Sequence, residues 1–192
     1  MLVMYGASTV SGFQSTRDIP DSCRAPHTPV NDITLVTLGD CVADLGVDVQ
    51  VCAQPGLSSY QLLEWFERVP QWHGEPTILW GTRNDYPNEC RSLLLNYERM
   101  ISQLTGPWWI CGIPLQDSDL EQPECMFQRC NAELKAFAGS RYIDPLQALG
   151  GAPVLPWYWR IDRVHPTSEA NRLIARWLIA NTIGATAQAK AA

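Results

Sequence analysis

The stretch that decides the fold is residues 1–10, MLVMYGASTV. Leu2-Val3-Met4-Tyr5 is an apolar run of strand length, and Gly6-Ala7-Ser8-Thr9 breaks it with a glycine-bearing turn. The same unit recurs outward along the chain. Val47-Asp48-Val49-Gln50-Val51-Cys52 alternates like a strand and stops near Pro55-Gly56. Thr77-Ile78-Leu79-Trp80 stops at Gly81-Thr82-Arg83-Asn84-Asp85, and Trp108 to Pro114 and Arg141 to Asp144 supply a fourth and a fifth strand.

Between these runs lie longer amphipathic stretches. Asp32 to Leu45 sets Ile33, Val36, Val42 and Leu45 at helical spacing, with Asn31 or Asp32 as the N-cap and Gly46 as the stop. Ser58 or Ser59 caps a helix through Leu62, Leu63 and Phe66. Further helices are expected from about Glu89 to Leu104, Pro123 to Ala138 and Ser168 to Asn181, and a loop rich in Pro, Asp and Ser from Gln14 to Asn31. Strands alternating with helices predict an α/β fold, an open five-stranded parallel sheet covered on both faces. The chain reads as one domain over residues 1–184, without internal repeats. A tail, residues 185–192, has no packing pattern and is expected to fray.

In open parallel sheets, sites lie beyond the carboxyl ends of the strands. The residues able to do chemistry fall there. Ser8 follows the first strand, Gly56 the second and Asn84 the third, while Asp162 and His165 sit in the loop after the fifth. Ser8 either caps its turn or presents its Oγ above the sheet edge, with its own N–H toward a developing oxyanion. The rival nucleophile is Cys41, in Gly39-Asp40-Cys41. It lies inside a helical pattern, and only fifteen positions separate it from Gly56. That is little room for a crossover helix and a strand after a catalytic turn, so Cys41 reads as a buried or helix-face thiol.

With Ser8, Gly56, Asn84 and His165 in that order, the chain resembles the SGNH (GDSL-type) hydrolases from Leu2 to about Ile183. The resemblance is carried by GASTVSG, AQPGLSS, GTRND and DRVHP, four short motifs in sequence order. It implies a flavodoxin-like three-layer α/β/α sandwich and an esterase, lipase or carbohydrate deacetylase activity. Carried over, Ser8 is the nucleophile, His165 its general base and Asp162 the acid that orients the imidazole. Ser8 N–H, Gly56 N–H and the Asn84 side chain form the oxyanion hole, and no metal or cofactor is required. Histidine suits the role because its pKa lies near working pH, and the acid fixes its tautomer. Two positions depart from the family pattern: Ala7 stands where an Asp is usual, and Arg83 lengthens the usual Gly-x-Asn-Asp.

Arg83 is expected either to recognise an anionic substrate group or to pair with Asp85. Trp157 and Trp159, just before the Asp162/His165 loop, could stack on a sugar ring, line an acyl site or pack in the core. The expected substrate is an acetylated carbohydrate, with a small lipid or aryl ester second. A lipase or lysophospholipase-type esterase and a non-catalytic carbohydrate-binding module are the alternatives. His27 and His73 read as solvated surface residues.

Composition bounds the partners. The 192 residues are 46% hydrophobic and 18% charged with net charge −6, which is globular and argues against nucleic acid or an anionic membrane surface. No apolar run approaches a bilayer span, and no basic start precedes the first strand as a signal peptide would need. A cytoplasmic or virion-associated protein, or a domain of a longer secreted precursor, is therefore expected, of undefined oligomeric state. Seven cysteines cannot all pair within one chain. Cys125 and Cys130 could bridge, though at no zinc-motif spacing, and Cys41, Cys52 and Cys111 read as buried thiols.

Overall fold

The computed structural model describes residues 1–7, 37–53, 56–85, 90–115, 119, 125–151 and 165–184. Ser8, His27, Trp157, Trp159, Asp162, the expected Gln14–Asn31 loop and the 185–192 tail lie outside the described residues. Five strands form one sheet: β1 (Leu2–Gly6), β2 (Val49–Ala53), β3 (Thr77–Trp80), β4 (Trp108–Cys111) and β5 (Tyr142–Ile143). Among the described residues, five helices of seven or more residues accompany them: α1 (Leu38–Asp44), α2 (Ser59–Glu67), α3 (Cys90–Ile101), α4 (Met126–Ala138) and α5 (Ser168–Asn181). All strand pairs are parallel, in the order β2-β1-β3-β4-β5. This is the expected α/β/α architecture.

The period-two alternation of strand side chains builds the two cores. Leu2, Met4, Ile78, Trp80, Trp109, Cys111 and Ile143 face one way, against Leu38 and Val42 of α1 and Ala170, Ile174 and Leu178 of α5. Val3, Tyr5, Cys52, Leu79 and Ile110 face the other, against Leu62 and Phe66 of α2, Leu93 and Tyr97 of α3 and Leu134 of α4. Helices therefore cover both faces, which is why β1 and β3 read as unbroken apolar runs.

Where boundaries differ from expectation, a local contact accounts for the difference. The first described helix begins at Leu38 rather than near Asp32, because Thr37 is its N-cap. The Thr37 hydroxyl accepts from Asp40 N–H, and the Asp40 carboxylate accepts from Thr37 N–H, a reciprocal capping box. Ser58, not Ser59, caps α2 through the same arrangement with Gln61. β4 ends at Cys111 because Asn131 of α4 takes over its pairing: the Asn131 amide donates to Ile113 C=O at 2.8 Å and accepts from Ile113 N–H at 2.7 Å.

Two further expectations are corrected. Cys130 bridges to Cys90, not to Cys125, across a Cα–Cα distance of 4.9 Å, and so ties α4 to the start of α3. Cys125 is a buried free thiol whose Sγ lies 3.6 Å from Asp119 Oδ1. His73 is half-buried rather than solvated. Its ring stacks on Phe66 at 4.0 Å, and its Nε2 is 3.2 Å from Phe66 C=O.

Candidate functional site

The strand order places β1 between β2 and β3, so the chain leaves β1 toward one side and returns to its other side. That reversal opens a crevice at the carboxyl edge beside β1 and β3, the usual position for a ligand in such sheets. Ala7 follows β1 there and is 6% exposed. The loop after β2 and the loop after β3 meet at the same edge.

Their junction is built from three side chains of Gly81-Thr82-Arg83-Asn84-Asp85. Asn84 Nδ2 donates to Leu57 C=O at 3.0 Å, and Thr82 Oγ1 donates to the same carbonyl at 2.8 Å. Asn84 N–H in turn donates to Thr82 Oγ1 at 3.1 Å, which fixes the turn. Gly56 precedes that carbonyl with φ +76, a left-handed conformation that a side chain would strain. The Asn84 amide is therefore held on the loop after β2, at the carbonyl of the residue that follows Gly56. An amide has two N–H donors, and the bond to Leu57 uses one of them. The second remains for a ligand.

Asp85 locks the junction from the other side. Its Oδ1 accepts from Ser59 N–H at 2.9 Å and from Ser59 Oγ at 2.7 Å, and its Oδ2 lies 3.1 Å from the same N–H. Ser59 is the first residue of α2 and is fully buried, so the carboxylate meets the positive end of the helix in charge-assisted bonds. Asn96 of α3 donates to Ser59 Oγ at 2.8 Å and completes the chain of contacts. Below it, the Tyr97 hydroxyl donates to Trp80 C=O at 2.6 Å, where β3 ends. Burial, then the nearby Asp85 and Cys111, pushes the Tyr97 phenol well above its ordinary range, so it remains a donor.

Arg83 does not pair with Asp85. Its Nη1 donates to Asp119 Oδ2 at 2.6 Å and to Pro114 C=O at 2.9 Å, its Nη2 reaches Asp119 Oδ1 at 3.2 Å, and the guanidinium lies 4.0 Å over the Phe127 ring. The planar fork is thus turned toward α4 and away from Asn84. Arg83 ties the loop after β3 to the segment between β4 and α4. Sequence reasoning missed Asp119 and Ser59 as partners, since they lie 36 and 26 positions from the residues they hold.

His165 is 8% exposed and enters α5 through Pro166 and Thr167, whose Oγ1 accepts from Ala170 N–H at 3.3 Å. The rival nucleophile is placed unfavourably. Cys41 is buried in α1, where Gly39 packs so tightly on β2 that an added Cβ would meet Val51 Cγ2 at 2.6 Å. Burial raises the Cys41 thiol pKa, with Arg172 opposing and Asp44 and Asp40 adding to the shift. The glycine of Gly39-Asp40-Cys41 serves helix-on-strand packing, and its thiol is poorly disposed to ionise.

Beside Asn84 an open cleft of about 390 Å³ runs between the start of α2 and the first half of α3. Among the described residues, no group of three or more His, Cys, Asp or Glu side chains is placed to hold a metal ion. Nor is any described helix long and apolar enough to cross a membrane.

No family model matches this sequence, and no curated protein matches it either. Solved structures do match. A lipolytic protein of the G-D-S-L family from Veillonella parvula aligns over 91% of this chain and 93% of its own, at 18% identity and a TM-score of 0.64. A candidate acylhydrolase from Bacteroides fragilis aligns over 92% and 83%, at 18% identity and a TM-score of 0.63. TesA aligns over 93% and 97%, at 17% identity and a TM-score of 0.59. The similarity is one of backbone course across nearly the whole chain, and the fold of this protein is that of the SGNH, or G-D-S-L, hydrolases.

Proposed function

We propose that the protein is a carboxylic ester hydrolase that removes acyl groups, acetyl foremost, from a carbohydrate. The observation that carries this reading is the Asn84 amide held on Leu57 C=O at 3.0 Å beside left-handed Gly56, at the carboxyl edge of the sheet. Asn84 is thereby fixed on the loop that carries Gly56 before any substrate arrives. Such preorganisation is what a developing oxyanion needs, and removing one such donor costs about 3–4 kcal/mol in known oxyanion holes. The neighbouring G-D-S-L fold and the buried His165 at the head of α5 support the same reading.

In this scheme Ser8, one peptide bond beyond Ala7, attacks the ester carbonyl carbon. His165 accepts the hydroxyl proton, and Asp162 orients the imidazole and stabilises its charged form. The tetrahedral oxyanion is held by Ser8 N–H, Gly56 N–H and Asn84 Nδ2. Collapse expels the alcohol, which takes the proton from His165. Water, deprotonated by the same imidazole, then releases the acid from the acyl-serine. The oxyanion geometry and the base carry the chemistry without a metal. The Cys90–Cys130 bridge favours an oxidising compartment over the cytosol for this activity.

A fluorophosphonate should label Ser8, located by peptide mass spectrometry. Ser8→Ala and His165→Ala should each lower p-nitrophenyl acetate kcat by about 10⁴-fold or more. Labelling at Cys41, or equal turnover by all three proteins, would overturn the proposal.

A further inference from the structure

We infer that the cleft between α2 and α3 seats the polyhydroxylated alcohol portion of the substrate, a pyranose ring of the acylated saccharide. This deepens the ester-hydrolase reading and rests on it. The cleft begins at Asn84, so a ligand filling it has one end at the proposed oxyanion site. Tyr60 and Leu95, 60% and 52% exposed, stand on its walls and leave apolar surface open to solvent. Asn84, Asp85, Ser92 and Asn96 line it with polar atoms. Asn96 spends one N–H on Ser59 Oγ, which leaves its second N–H and its Oδ1 to meet a ligand.

The chemistry of that lining selects among ligands. A pyranose offers apolar C–H faces and a rim of hydroxyls, each both donor and acceptor, and this cleft offers a phenol ring beside amide and hydroxyl groups. Among the described residues that line it none is Lys or Arg, one is the carboxylate Asp85, and the chain carries net charge −6. A phosphate or other anionic headgroup would meet repulsion without a cation to hold it. Among the described lining residues, one leucine and one tyrosine are too little apolar surface for a long acyl chain. The volume of about 390 Å³ falls in the range of small-ligand sites.

Two variants test the inference. Tyr60→Ala removes the aromatic face, and Ser92→Trp obstructs the cleft from α3. With O-acetylated oligosaccharides and p-nitrophenyl acetate as paired substrates, both variants should lower kcat/KM for the oligosaccharide at least tenfold more than for the aryl ester. In Ser8→Ala protein, a panel of unacetylated xylo-, cello- and chito-oligosaccharides should shift the Asn84 and Asn96 side-chain amide resonances in ¹⁵N NMR, and Tyr60→Ala should abolish the shift. An equal fall on both esters, or no shift with any saccharide, overturns the inference. Saccharide-induced shifts in a protein whose wild type hydrolyses no ester would leave the cleft assignment standing and sink the esterase reading alone.

Discussion

At the scale of single residues, the loop after β3 is where the sequence departs from the pattern it resembles. Arg83 lengthens the usual Gly-x-Asn-Asp by one position, yet Asn84 still reaches the Gly56 loop. The reason is geometric: Arg83 turns its side chain to Asp119 while Thr82 and Asn84 both turn to Leu57, so the extra residue is absorbed by a contact on the far side. The guanidinium binds the carboxylate through two nitrogens and also covers Phe127, a combination that an ammonium cannot reproduce. Arg83→Ala should therefore destabilise the fold by about 2–3 kcal/mol, between the values for exposed and fully buried pairs, because Asp119 is left mostly buried with its charge. Arg83→Lys should recover only part of that loss. Urea unfolding at pH 7 measures both, and wild-type stability in Arg83→Ala would show the pair to be ornamental. Legible in the sequence were the candidate positions Gly56 and Asn84, which follow β2 and β3 and whose loops meet at Leu57 C=O. The contacts that brace the loop after β3 were not, because Ser59–Asp85 and Arg83–Asp119 are contacts of tertiary structure with no local spacing rule.

At the scale of elements, legibility follows the strength of local signals. The bounds of β3 and α5 coincide with expectation: Thr77–Trp80 is a short apolar run broken by Gly81, and Ser168–Asn181 is a long amphipathic run entered through Pro166. The Thr37–Asp40 capping box starts α1 at Leu38, while the expected caps Asn31 and Asp32 lie outside the described residues. The Cys90–Cys130 bridge was illegible for the same reason as the ion pair, as 40 positions separate the two thiols. Its consequence is mechanical. Cys90 begins the helix that carries Asn96 and Tyr97, so the bridge anchors α3 about two turns ahead of the residues that support Asp85 and β3. Closing a loop of 40 positions lowers the entropy of the unfolded chain enough to stabilise the fold by about 3–4 kcal/mol. Cys90→Ser with Cys130→Ser should thus lower Tm by roughly 10 °C in a chain of this size. Calorimetry should find the same shift when wild type is scanned with a reductant. An unchanged Tm in both would mean that the bridge constrains nothing beyond the packing of α3 on α4.

At the scale of the whole molecule, both core layers carry ionisable groups kept neutral by burial. Cys52, Tyr5 and Tyr97 lie in the layer under α2, α3 and α4, and Cys41 and Cys111 in the layer under α1 and α5. Desolvation is the leading cause of a raised pKa at all five and at Tyr142, with Cys52 pushed up to about 11. The three-layer sandwich hides these groups because a sheet covered on both faces leaves no wet side for a thiol or phenol to use. A group whose folded pKa exceeds its unfolded value releases its proton on unfolding once the pH passes the unfolded value. The stability it lends is whole below that point and is lost as pH rises toward the folded value. For Cys52 the window runs from the ordinary thiol value of 9.0 up to about 11, and the buried phenols join above pH 10. Each group titrating within its window steepens the decline by about 1.4 kcal/mol per pH unit. The unfolding free energy should therefore be level from pH 7 to 8.5 and fall steeply from pH 9 to 11. Cys52→Ala should remove about one proton from that slope while costing some stability at neutral pH through the lost sulfur contacts. Urea titrations at half-unit pH steps read both quantities separately, and a free energy still level at pH 11 would mean that the thiols and phenols ionise as readily folded as unfolded.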